Sequence, residues 1–309
     1  MDHTAAVTPQ FAEDVEIFEY TKAVNPIASG SVPRIPYREF NSDLYASGES
    51  RIVPLDISSD LRCPSPATTP GLLASFVRIN AGDRLKTEPR ATGEFYYVIR
   101  GRGRTEFGSG TMEWKQGDTF VLPGARAEHV AEGDSAFYRV DDSPLLTYLG
   151  VQQSEPRFRP TLYTRETIMA ELEKAKADPQ ASRRSRISIL LANRKFEQTM
   201  TITHVLWTMF GIAPPGAHQL PHRHQSVAVD YVVDARPGVY TLVGTVLNAD
   251  GSIHDPVRVD WKSGSAFVTP PGYWHEHRNE SSADAYIMPI QDAGLHTYLR
   301  TLDIQFYSK

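Results

Sequence analysis

The sequence predicts an all-β protein built as two tandem β-barrels, one in each half, joined by a helical linker. Three observations carry this. Trp114 to Pro123 reads WKQGDTFVLP and Trp261 to Pro270 reads WKSGSAFVTP, with six of ten positions identical, an internal repeat at domain spacing. Short runs rich in Val, Ile, Phe, Tyr and Thr, such as Leu72 to Ile79, Phe95 to Ile99, Val229 to Val233 and Tyr240 to Val246, are broken at strand-like intervals by Gly, Pro, Asn and Asp, as in a barrel or sandwich. Helical spacing is strong only at Arg165 to Ala177, where Ile168, Leu172 and Ala175 recur on one face.

Taken in order, residues 1–65 carry many prolines and weak periodicity, and read as an irregular arm wrapped on the first barrel or on a partner subunit. Residues 66–155 form the first barrel. The linker, 156–195, contains the helix, with Thr164 as its N-cap and Asp178-Pro179 as its stop. The polar stretch DPQASRRSR that follows is a solvated connection. Residues 196–309 form the second barrel, whose segment IAPPGAHQLPHRHQSVAVDYVVD matches INAGDRLKTEPRATGEFYYVIRG of the first, Gly216 pairing with Gly82.

The 309 residues are 40% hydrophobic and 22% charged with a net charge of −5, which supplies no basic footprint for nucleic acid or an anionic membrane. The partner is expected to be a small molecule. MDHTAAVTPQF lacks a basic start followed by an apolar core, and no run of eighteen apolar residues follows, so a cytoplasmic location is expected. The single cysteine, Cys63, forbids an intrachain disulfide and reads as a packed or surface thiol.

The chemistry sits in the histidines. Gly216, five residues, His222, one residue and His224 are followed by Gly264, five residues, Pro270, one residue, Gly272, two residues, His275, three residues and Asn279. Alternate residues of a strand share a face, so His222 and His224 point together and a second strand can bring His275 opposite them. An H-x-H pair alone says little, and satisfied structural histidines are its bland reading. The whole register points instead to a metal ion on three neutral imidazoles, which suit iron, copper, nickel and zinc.

These two motifs resemble those of the cupin superfamily, and their doubling resembles a bicupin. PHRHQSVAVDYVV with DWKSGSAFVTPPGYWHEHRNES is most similar to gentisate 1,2-dioxygenase and its relatives that cleave hydroxylated aromatic acids. The resemblance implies barrels of jelly-roll type, non-haem Fe(II) with nickel, zinc, manganese and copper as alternatives, ring opening with O2, and a homodimer or homotetramer. Two departures matter. Ala228 stands where the usual pattern has a glutamate, which favours a three-histidine site. The family's iron is expected in the first barrel, yet Glu88 and Arg90 stand at its two histidine positions and Glu128 at the third, with His129 one place off. The first barrel is therefore expected to be metal-free, Arg90 pairing with Glu88 or Glu94; a carboxylate-rich site from Glu88, Glu94 and His129 is the other reading. The metal site moves to His222, His224 and His275.

Strand parity adds Asp230 as an interior carboxylate and His277 beside His275, both candidates for acid or base roles; the other reading makes Asp230 a partner for an interior Arg or Tyr and gives His277 a simple hydrogen bond at the barrel mouth. His218 is a weaker candidate, and Arg223, Trp274 and Arg278 fall on the outward parity. Three neutral ligands leave an Fe(II) ion doubly positive, so an anionic chelating substrate such as an ortho-hydroxy acid or aminophenol is expected. An isomerase, a decarboxylase, a dioxygenase of another substrate class and a non-catalytic ligand-binding bicupin are the alternatives.

Overall fold

The computed structural model describes residues 11–108, 110–181 and 187–307. It divides into two compact units, Met1–Arg34 and Ile35–Lys309. In the first, the short helix α1 (Tyr20–Ala23) is capped by the Glu19 carboxylate on the Thr21 and Lys22 amides. Residues 1–10, and residues 182–186 of the polar linker stretch, lie outside the described residues.

Within Ile35–Lys309 the first half carries β1 (Arg38–Phe40), β2 (Arg51–Pro54), β3 (Leu73–Ile79), β4 (Arg84–Thr87), β5 (Gly93–Arg100), β6 (Arg102–Phe107), β7 (Gly110–Lys115), β8 (Thr119–Pro123), β9 (Ala127–Ala131), β10 (Ser135–Asp141) and β11 (Thr161–Tyr163). The second carries β12 (Ile187–Leu191), β13 (Trp207–Ala213), β14 (His218–Arg223), β15 (Ala228–Asp234), β16 (Val239–Gly244), β17 (Val257–Asp260), β18 (Ala266–Thr269), β19 (Trp274–Asn279), β20 (Ala285–Gln291) and β21 (Gln305–Phe306). Helices α2 (Asp43–Ala46), α3 (Ser58–Leu61), α4 (Ser143–Leu149), α5 (Arg165–Ala177) and α6 (Ala293–Leu299) connect them. None is long and apolar enough to cross a membrane.

Each half is a two-sheet jelly roll. A six-stranded sheet, β11-β8-β5-β10-β3-β2, faces a four-stranded one, β4-β9-β6-β7; in the second half β1-β18-β15-β20-β13-β12 faces β17-β16-β19-β14-β21. The alternation of buried side chains on each six-stranded sheet explains three cores. In β5, Tyr96 and Val98 join the interior of the first jelly roll while Phe95 and Tyr97 face away from it; in β15, Val232 lies in the second interior while Val229 and Tyr231 face away. The outward sets meet in one cluster between the halves, with Tyr138 stacked on Tyr231 at 4.9 Å and its hydroxyl donating to the Val229 carbonyl.

The helix α5 has the bounds that the sequence spacing gives, and the Thr164 hydroxyl accepts from the Thr167 amide at 3.3 Å. The stretch read as an irregular arm holds two strands: β1 pairs with β18 of the second half and β2 with β3 of the first. Edge strands β11 and β12, from the linker, extend both six-stranded sheets.

Candidate metal centre

Strands β14 and β19 pair antiparallel and set His222 directly opposite His275, with Gln219 opposite His277. Between those two pairs the register shifts, so β14 carries a bulge at Leu220-Pro221. Proline, which donates nothing to a ladder, is tolerated there. The turn before β14 is set by Gly216 at φ +76°, as the equivalent turn is by Gly82 at φ +81°.

His222, His224, His275 and His277 are all buried. Ligand atoms of His222, His275 and His277 lie within 4.8 Å of one another, the one such three-histidine group among the described residues. His224 stands one residue past the end of β14 and is outside that group, its ring 5.0 Å from that of His275 and 6.3 Å from that of His222. The rings of His222 and His275 are 4.0 Å apart.

The partners of the ring nitrogens divide the four. Nδ1 of His222 meets the Leu220 carbonyl at 3.3 Å, Nδ1 of His224 the Ser226 carbonyl at 2.8 Å and Nδ1 of His275 the Tyr273 carbonyl at 3.0 Å. A carbonyl only accepts, so each Nδ1 carries its proton and the lone pair falls on Nε2, the tautomer a metal ligand needs. His277 differs. Its Nδ1 lies 2.8 Å from the Thr241 hydroxyl, which already accepts from Trp261 Nε1 at 2.8 Å. Where that hydroxyl gives its hydrogen to His277, the ring's own proton stands on Nε2; a hydroxyl, unlike a carbonyl, can also accept from Nδ1.

The other sequence candidates are placed as follows. Asp230 is buried in the second jelly roll, where the Thr269 hydroxyl donates to its carboxylate at 2.6 Å. His218 is exposed and pairs with Glu276 at 3.3 Å. Arg223 stacks over Trp274 at 4.8 Å and Arg278 pairs with Glu276 at 2.7 Å, off the histidine face. Sequence reasoning missed the Trp261–Thr241–His277 relay, although the tryptophan opens both repeated WK segments. It also missed Ser226, whose hydroxyl meets His224 Nδ1 at 3.0 Å and donates to Gln291 at 2.9 Å, and Phe306, stacked on His222 at 5.7 Å.

A cavity of about 250 Å³ opens onto His222 and His224. Its walls include Leu190, Trp207, Met209 and Phe306, with Gln219 and Gln291 as polar groups, and no lysine or arginine lines it among the described residues.

The first half shows what replaces the imidazoles. Strand β4 has no bulge, and pairs Thr87 with Ala127 and Leu85 with His129. Thr87 and Ala127 therefore occupy the places of His222 and His275, which corrects the assignment of Glu88, Arg90 and Glu128 to the three ligand positions. The chain is one residue shorter here both before β9 and within β4, so a gapless reading slips by one. Glu88 is exposed, Arg90 donates to the Val151 carbonyl at 2.8 Å, and Glu128 pairs with Arg84 at 2.7 Å. The partner of buried Glu94 is Arg139 at 2.8 Å, not Arg90. His129 repeats His277: its Nδ1 lies 2.8 Å from the Thr105 hydroxyl, which accepts from Trp114 Nε1 at 3.0 Å, and its Nε2 lies 3.3 Å from Thr87. Burial, and then the charge of Arg139, push the His129 pKa down to about 3, so it is neutral.

No family profile matches the chain. The 5-aminosalicylate 1,2-dioxygenase of Comamonas sp is 27% identical over 153 residues, which cover 47% of this chain and only 37% of that enzyme. Among solved structures, salicylate 1,2-dioxygenase from Pseudaminobacter salicylatoxidans superposes with a TM-score of 0.73 at 15% identity, covering 96% of both chains. A variant of that enzyme in complex with gentisate gives 0.73 at 14% identity over 97% of this chain and 94% of the other. A cupin 2 conserved barrel domain protein from Leptotrichia buccalis gives 0.51 at 14% identity over 82% and 95%.

Proposed function

We propose that this chain, a bicupin with the fold of salicylate 1,2-dioxygenase, is a metal-dependent dioxygenase that opens the ring of a hydroxylated or amino-hydroxylated aromatic acid at the second jelly roll. The observation that carries the reading is the trio of buried histidines whose Nδ1 atoms are engaged by carbonyls. His222, His224 and His275 hold the ion through Nε2. Fe(II) is the ion of choice for O2 chemistry on this donor set; when bound it supplies positive charge and electron transfer to O2.

The chain's own groups do the rest. A cavity of about 250 Å³ admits a single substituted ring, since an apolar cavity of about 150 Å³ already takes benzene. Leu190, Trp207, Met209 and Phe306 give it an apolar wall, and Gln219 and Gln291 orient polar substituents. With no lysine or arginine in the lining among the described residues, a substrate carboxylate is neutralised at the histidine centre, which selects acids that chelate through an ortho hydroxyl. His277, proton on Nε2 and held by Thr241, serves as a proton donor to an oxygen at the centre. Asp230 is the interior carboxylate available to hold a proton.

Metal analysis of the purified protein tests this, followed by oxygen uptake with salicylate, gentisate, 5-aminosalicylate and aminophenols. About one metal ion per chain is expected, lost in His275→Ala, with oxygen uptake that depends on Fe(II). An iron-loaded protein that consumes no oxygen across this panel overturns the reading.

A further inference from the structure

We infer that the seam between the two halves holds a second small-molecule site, for an aromatic carboxylate bearing a hydrogen-bond donor, apart from the histidine centre. A cavity of about 620 Å³ lies where Thr92 of the first half, Gln153 and Arg157 after α4, Lys195 of the linker, and Phe196, His204 and Tyr298 of the second half converge. A larger one of about 1200 Å³ shares Arg157 and Lys195 with it and adds Arg126, Arg159 and Arg194.

Charge and walls point to the ligand. Against these five cations the two linings hold one carboxylate, Glu155, and none of the five has an ion-pair partner among the described residues. Phe158, Phe196 and His204 form an aromatic cluster, with His204 4.6 Å from Phe196 and 6.0 Å from Phe158. Two buried polar atoms here, His204 Nδ1 and Gln153 Oε1, have no hydrogen-bond partner among the described residues. Such atoms cost about 1–3 kcal/mol each unless something satisfies them. Burial and the Arg157 charge hold His204 in its neutral form, so it offers an acceptor or a donor rather than a charge. A carboxylate on Arg157 and Lys195, a ring against Phe196 and His204, and a ring hydroxyl on Gln153 Oε1 would together neutralise cations, cover the aromatic wall and give one of the two orphaned atoms its partner.

The probe is 6-hydroxy-2-naphthoate, whose hydroxyl is too far from its carboxylate to chelate a metal, titrated by fluorescence into the full-length, metal-loaded protein. Saturable binding is expected, weakened at least tenfold by Arg157→Glu with Lys195→Glu and severalfold by His204→Leu, and unchanged in His275→Ala. Lys195→Glu alone, at an exposed position, repeats the test should the double variant fold poorly. No saturable binding, an affinity indifferent to the charge reversals, or binding lost in His275→Ala overturns the proposal.

Discussion

Thr241 is a hydroxyl with two buried neighbours, and its removal separates chemistry from scaffolding. In Thr241→Val, Trp261 Nε1 and His277 Nδ1 both lose their partner, at a cost of about 1–3 kcal/mol for a buried group left unsatisfied. Thr105→Val does the same to Trp114 and His129 in the first half. The two variants are expected to lose similar stability in urea unfolding, while only Thr241→Val lowers turnover, by roughly 10² or more if His277 gives a proton, with metal content unchanged in both. Equal turnover in the two variants would reduce His277 to a structural role. At this scale the clustering of buried histidines on β14 and β19 was legible because glycines, proline and asparagine bracket them at fixed spacing. The relay was not, because parity tells which side chains share a face and says nothing of which residue on the next strand lies across from them.

The bulge in β14 is the element that sets the two halves apart at the histidine cluster. It lets Gln219 and His222, three residues apart, occupy successive places on one face opposite His277 and His275, whereas the regular ladder of β4 offers Leu85 and Thr87. The equivalence predicts a gain of function. Thr87→His together with Ala127→His should build an imidazole pair beside His129 that binds Co(II) or Ni(II), seen as a metal-dependent rise in melting temperature. Glu88→His with Glu128→His should not, because Glu88 is exposed and Glu128 pairs with Arg84. If the second pair binds and the first does not, the register argument is wrong. Elements with a strong period, such as α5 and the repeated strands, could be read from the sequence. The short strands β1 and β2 could not, because three or four residues among prolines carry no usable period and owe their form to the sheet edges they join.

At the scale of the molecule, the two halves share a core and also a pair of buried acids. Asp142 and Asp292 stand at the starts of α4 and α6. Each accepts the backbone amide just ahead of a central strand, Thr92 before β5 and Val227 before β15. Burial pushes their pKa values up, to about 6 and about 7 from an ordinary 3.8. A folded state that holds a proton more tightly than the unfolded chain has its full benefit below about pH 4 and loses it as pH rises through the raised value. His129, depressed to about 3 from 6.5, acts oppositely: its contribution is present above about pH 6.5 and is lost as pH falls toward 3. The opposing slopes flatten the net curve, which hides each group from a single pH profile. Asp292→Asn exposes one of them, because the amide keeps an acceptor for the Val227 amide and never ionises. Compared by urea unfolding, the variant should gain on the parent as pH rises from 4 to 7, at up to about 1.4 kcal/mol per pH unit, and the difference should level off above about pH 8. A difference that does not change with pH would mean that Asp292 is ionised throughout, held so by charges in the seam rather than neutralised by burial.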